Sequence, residues 1–312
     1  MNSGCLNSEM VKAKARSLGF VACGLAPALP LPAVVRERYR RWIADGCHAG
    51  MGYLARNERL RYNPDALVPG VRTVISVALP YRPLRQAAGI SMYAQGQDYH
   101  LVVRQRLRRL MREIGATGRC FVDTAPVLEK YWAWRCGLGW QGRHTQLILP
   151  GMGSTHFLGE LFVHQRSDRY DIPLAPRCGS CSRCQEACPA GALADKCIDA
   201  RRCLSYLTIE HRGPFPSDVA LEDTFYGCDH CLKACPYMKQ APVGLPEFQP
   251  SDRLLAMQPH QWDALTPEQY QALFGQSAVK RAGYEGLRRN IAQFSKQNGE
   301  PFTVSRNPEG PK

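Results

Sequence analysis

No stretch of this chain approaches the roughly 18 consecutive apolar residues that a membrane-spanning helix requires, so the sequence carries no candidate span. The opening MNSGCLNSEM also lacks a basic-then-apolar leader and a twin-arginine pair, which excludes the usual export signals. A cytoplasmic location is therefore expected, where thiols stay reduced and a disulfide framework is disfavoured. Charged residues make up 21% and hydrophobic residues 45%, a globular balance that argues against extensive disorder. Acidic residues are scarce: 27 against 40 basic ones, for a net charge of +13. That deficit favours a polyanionic partner, because phosphate contacts and counterion release reward positive charge. Charge alone does not choose between RNA, DNA and an anionic cofactor.

Cysteine, by contrast, is abundant. Of 14 cysteines, nine fall between Cys178 and Cys235. Cys178-x2-Cys181-x2-Cys184-x3-Cys188-Pro189 has the bacterial ferredoxin spacing, in which three thiolates hold one cubane and the fourth reaches to another. Cys228-x2-Cys231-x3-Cys235-Pro236 repeats the end of that pattern with one cysteine missing. Two [4Fe–4S] clusters need an eighth thiolate, which falls to Cys203 or Cys197, with Cys203 preferred. The expected sets are Cys178, Cys181, Cys184 and Cys235 on one cluster, and Cys188, Cys203, Cys228 and Cys231 on the other. Zinc is the competing reading, but zinc sites more often show two well-separated CxxC pairs. The remaining five cysteines read as small apolar side chains.

At 312 residues the chain has room for about two domains. The expected class is α+β. Residues 1–165 form a mixed α/β domain, 166–242 a ferredoxin-like module, 243–292 a helical segment and 293–312 a loose tail. In the first domain, strands are expected at 20–25, 71–79, 120–122, 145–149 and 157–163, with a basic helix near 34–44. The arginines Arg104, Arg106, Arg108, Arg109 and Arg112 alternate with Val103, Leu107 and Leu110, the pattern of an amphipathic helix with arginine on its wet side. Further basic groups lie at Arg36, Arg38, Arg40 and Arg41, and at Lys280, Arg281, Arg288 and Arg289.

The densest chemistry outside the cysteines is the run from Phe121 to Thr145. On spacing, Asp123 or Thr124 reads as the N-cap of a helix entered by Pro126. The alternative is that Asp123, at a buried strand end, has its pKa raised by desolvation and serves as a proton donor.

VDTAPVLEKYWAWRCGLGWQGRHT, from Val122 to Thr145, resembles the VDSAPVLEK…AGLGWIGKNT block of the epoxyqueuosine reductases. The resemblance continues through Met51–Asn57, Pro69–Ser76, Tyr93–His100, Phe157–Glu160, Asp199–Glu210 and Tyr226–Asp229, and on to Arg288-Arg289-Asn290. It spans about residues 8–292, in order. The resemblance implies cobalamin in the first domain, fed single electrons by the two clusters. It also implies a tRNA substrate, whose epoxyqueuosine is reduced to queuosine at the wobble position with loss of oxygen as water. By the same resemblance Asp123 matches the proton donor, and Cys203 the eighth ligand. Arg56, His100, Gly142 and Thr145, with Tyr53 and Ser154, would surround the corrin. Arg281, Arg288 and Arg289 become candidate tRNA contacts, an electron donor is required, and a monomer is expected. Arg143-His144 stand where relatives have Lys-Asn, and His144 is not taken as an axial ligand. Rival readings are a reductive dehalogenase, a non-catalytic electron carrier and an RNA-binding protein with structural clusters.

Overall fold

The central strand Thr73–Pro80 (TVISVALP) is buried along its whole length, so it must be covered on both faces. In the computed structural model, which describes residues 4–217 and 219–298, it lies inside a four-stranded sheet. The strand order is Ala22–Pro27, Thr73–Pro80, His156–Val163, Gly118–Phe121, with every neighbouring pair antiparallel. Alternate residues point to opposite faces. Ile75, Val77 and Leu79 pack with Val11, Val103, Leu107 and Leu110 under the helices Ser8–Ser17 and Tyr99–Glu113. Val74 and Ala78 pack with Trp132 and Ala133 of the helix Glu129–Arg135 on the other side. The first domain is thus three layers, helices on both sides of a sheet.

The expected strands at 20–25, 71–79, 120–122 and 157–163 and both basic helices form, with ends shifted by a residue or two. The expected strand at 145–149 does not join the sheet. Leu147–Ile148 pair with Trp140–Gln141 in a separate two-stranded ribbon, and Leu149 bridges Gly153. An apolar run does not specify its partner, and here the run pairs with Trp140–Gln141 instead of with the sheet.

The linear domain boundaries are also redrawn. Residues 166–171 stay with the first domain: Leu6 bridges Ser167, and Asp171 accepts from Lys12 Nζ (2.7 Å) and the Leu25 N–H (2.9 Å). Conversely, Gly89–Ile90 pair in parallel with Thr224–Tyr226, and Ile90 and Ala94 enter a second core with Leu207, Phe225, Trp262, Phe274 and Leu287. Phe248 returns the favour by filling the first core. The 243–292 segment is helical as expected, but its last helix runs Gly283–Asn298, so residues 293–298 are not loose. The rest of the expected tail lies outside the described residues.

Candidate active site and cluster module

The strand Gly118–Phe121 delivers Asp123 to the edge of a cavity of about 2010 Å³. Asp123 is not a helix cap. The following helix begins only at Glu129, with Leu128 at its N-cap and no side-chain cap bond. Asp123 instead sits in the left-handed region (φ 57°), and its N–H donates to Glu129 Oε1 at 2.5 Å. Thr145, across the cavity, shares that unusual conformation (φ 66°). For a β-branched residue this is a strained state, of the kind that persists where surrounding structure holds it in place.

Asp123 Oδ2 accepts from Tyr99 Oη at 2.7 Å and faces His100 Nε2 at 3.2 Å. The other imidazole nitrogen, Nδ1, is 2.7 Å from Asp98 Oδ1, and Asp98 is further paired with Lys280 Nζ at 2.6 Å. Asp98 also caps the helix that carries Tyr99 and His100, so one carboxylate sets both the helix start and the imidazole orientation. The line of groups is therefore Lys280, Asp98, His100, Asp123, with Tyr99 stacked on His100 at 4.1 Å.

The electrostatics correct the sequence expectation for Asp123. Burial does push its carboxyl up, but the bonds from His100 and Tyr99 outweigh it and hold the group below its ordinary value. The side chain is 57% exposed and lines the cavity. His100 moves the opposite way. Burial opposes its charged form, yet the bonds to Asp123 and Asp98 prevail and raise it to about 9. The pair is an imidazolium facing a carboxylate at neutral pH. Behind it, burial and then the Asp123 charge push Glu129 up, and burial followed by Glu129 pushes up Glu160, which is fully buried in the sheet.

The cavity is lined by Tyr53, Arg56, His100, Asp123 and Thr145, all expected at the corrin. Gly142 and Ser154 are not among its lining residues. Gly142 lies against the buried His144 ring, where a Cβ would come within 2.8 Å of Cε1, and Ser154 is buried near the cluster module. The volume is at least twice that of a drug-sized pocket, and Trp42, Leu54, Val127 and Trp134 supply apolar walls. These dimensions and walls fit a broad macrocycle together with a nucleotide. His100 is the one imidazole among the lining residues and both its nitrogens are engaged. His144 is buried, with Nδ1 accepting from the Gln146 N–H.

In the second unit the thiols gather by position. Cys235 feels, after burial, the charges of Cys178, Cys184 and Cys181. Cys231, pushed up to about 12, feels after burial those of Cys228, Cys203 and Cys188. The short helices Arg183–Glu186 and His230–Lys233, which carry the two motifs, lie against each other. Cys197 stands elsewhere, in a two-stranded ribbon, where its neighbouring thiol is Cys47. Among the described residues no three His, Cys, Asp or Glu side chains close around a single ion.

The C-terminal arginines have structural partners. Arg289 donates to the carbonyls of Leu207, His211 and Gly213, and Arg288 to those of Trp262 and Asp263. Both are half-buried, and these bonds engage much of each guanidinium. Arg281 lines the cavity and pairs with Glu210 through two nitrogens, at 2.9 and 2.8 Å. Sequence reasoning missed Tyr99, Asp98, Lys280 and Glu129 as site residues. Tyr99 and Asp98 flank His100, a signal in plain view. Lys280 had none, because only the fold brings it to residue 98.

Residues 61–124 match the family described as "Epoxyqueuosine reductase QueG, DUF1730", and 177–238 match "4Fe-4S double cluster binding domain". The chain is 38% identical to an epoxyqueuosine reductase of Cellulophaga algicola, over 93% of this chain and 99% of the relative. It is also 38% identical to one of Burkholderia pseudomallei, over 91% and 80%. A crystal structure of epoxyqueuosine reductase with an epoxyqueuosine-modified tRNA-Tyr stem loop superposes with a TM-score of 0.84 at 25% identity, covering 92% of this chain and 80% of that one.

Proposed function

Because the chain belongs to the epoxyqueuosine reductase family, and its reaction is the reduction of epoxyqueuosine to queuosine in tRNA, we propose that Asp123 and His100 together deliver the proton to the departing epoxide oxygen. The observation that carries this is the imidazolium–carboxylate pair at the wall of the 2010 Å³ cavity. The overall change consumes two electrons and two protons, breaks both epoxide C–O bonds, forms a C=C bond and releases water. His100 holds a proton on Nε2 at neutral pH, and Asp123 Oδ2 passes it outward while Tyr99 Oη fixes the carboxylate's direction. Lys280 and Asp98 keep the imidazole turned toward Asp123.

The cofactors are two [4Fe–4S] clusters and cobalamin, the group the family uses. Bound in the cavity, cobalamin supplies the reducing equivalents. Tyr53, Arg56 and Thr145 are the residues of this chain that would hold it there. For the clusters, the proposed ligands are Cys178, Cys181, Cys184 and Cys235, and Cys188, Cys203, Cys228 and Cys231. The two thiol groupings support that division. A tRNA anticodon stem–loop is the substrate, which places the enzyme's work in the cytoplasm. No helix among the described residues is long and apolar enough to cross a membrane. Relatives matching nearly the whole chain leave no role for a bare electron carrier.

The reading is tested by anaerobic incubation of reconstituted protein with epoxyqueuosine-containing tRNA, a low-potential reductant and cobalamin, followed by nucleoside mass spectrometry. Cobalamin-dependent loss of one oxygen mass is expected. Cobalamin binding without that loss would assign the machinery to another substrate.

A further inference from the structure

The helix Tyr99–Glu113 carries five arginines, and two of them are spoken for within the fold. Arg106 bonds the Leu18 carbonyl and Glu247, and Arg109 bonds Glu113. Arg104 and Arg108 pair with no carboxylate among the described residues. They stand four apart, on one face of the helix and about 6 Å apart along its axis. Arg119 approaches them from the strand Gly118–Phe121, and the three line a second, open pocket of about 400 Å³ floored by Phe121 and Val122. This pocket is not isolated. Arg104, Thr124, Ala125 and Pro126 line both it and the large cavity, so the loop that follows Asp123 is the wall between them. Leu101, one turn before Arg104 on the same face, is 54% exposed and lies at the cavity mouth.

We infer that Arg104, Arg108 and Arg119 form the groove that grips the tRNA backbone beside the nucleotide inserted in the cavity, and that the C-terminal arginines do not. This rests on the tRNA reading of the cavity. The chemistry is that of a phosphate track. Three guanidiniums without internal carboxylate partners converge on an open polar recess next to the reaction site, and an exposed apolar side chain stands where a splayed base would pass. A nucleotide entering the cavity past Leu101 leaves its flanking phosphates over Arg104 and then Arg108. Arg119, propped over the Phe121 ring at 5.1 Å and tied to the Leu67 carbonyl, closes the far side.

The test is direct binding of a fluorescein-labelled anticodon stem–loop RNA to the cluster-loaded protein, measured by anisotropy across a salt series. In Arg104→Gln/Arg108→Gln/Arg119→Gln, affinity is expected to fall at least tenfold. The slope of log K against log salt should become shallower by about 2, since each lost phosphate contact removes about 0.7–0.9. The double variant Arg104→Gln/Arg108→Gln leaves Arg119's packing intact and should lose more than half of that slope change, with iron content as the check on folding. Arg109→Gln removes the same charge from the same helix and should leave the slope within about 0.3 of the parent. An unchanged slope in the triple variant, or an equal loss in Arg109→Gln, overturns the groove. Failure of the parent protein to bind the RNA at all would remove the tRNA reading, and the groove with it.

Discussion

At the residue scale, the proposed proton delivery depends on where one proton resides. Asp123 and Asp98 stabilise the charge on His100 and raise it to about 9, while Asp123 is held below its ordinary value. In the folded enzyme the imidazolium predominates through neutrality and is lost as pH rises through about 9. Turnover is therefore expected to be level through neutrality and to fall as pH rises through about 9. In His100→Gln that alkaline limb should disappear, with kcat lowered by about 100-fold. A parent profile already falling at pH 7, once cluster loss is excluded by iron assay, would show that the imidazolium is not the store. Asp123→Asn keeps the shape of the site and removes the carboxylate oxygen through which the His100 proton passes. It should bind clusters and cobalamin normally yet lose about two orders of magnitude or more in turnover. Near-full activity would leave Asp123 only a backbone role.

At the element scale, most of the sheet and both basic helices could be read from periodicity, because a buried strand and a helix face each have a regular apolar spacing. The stretch from Asp123 to Glu129 could not. Pro126 resembles a helix entry, yet the helix waits until Glu129, whose carboxyl is committed to the Asp123 N–H. That bond holds Asp123 in a left-handed conformation and is made between residues six apart, which no local propensity encodes. The last helix, Gly283–Asn298, makes a similar point. Arg289 looked available, but its guanidinium braces the Leu207–Gly213 segment and lies 4.5 Å over the Phe215 ring. Arg289→Gln is expected to lower unfolding free energy by about 2 kcal/mol, because carbonyls lose charged donors. Chemical denaturation would measure it. A stability within about 0.5 kcal/mol of the parent would return Arg289 to the free surface charges.

At the scale of the whole molecule, two cores are stitched together by exchanged residues: Ala87, Ile90 and Ala94 go to the second core and Phe248 to the first. The interleaving seats the cavity between them, so that Tyr53 and Asp123 from one part face Arg281 and Lys280 from the other. Here the cysteine assignment becomes a prediction. Cys203→Ala should lose about half of the bound iron, because a cubane seldom persists on three thiolates. Cys197→Ala should lose none. The reverse pattern, read by iron and sulfide analysis, would exchange the two residues' roles.

The sequence by itself determined the paired-cluster motif, the family and Asp123's place just after a strand, since cysteine spacing and a strand–loop–helix block are local and survive in linear order. Tertiary structure alone decided the direction of the Asp123 shift, which arginines have carboxylate or carbonyl partners, and which segments share each core. Each of those depends on charges and carbonyls brought together from distant parts of the chain, such as Lys280 against Asp98 and Arg289 against Leu207. Proximity of that kind sets pKa values and uses up hydrogen-bond donors, and nothing in residue order alone expresses it.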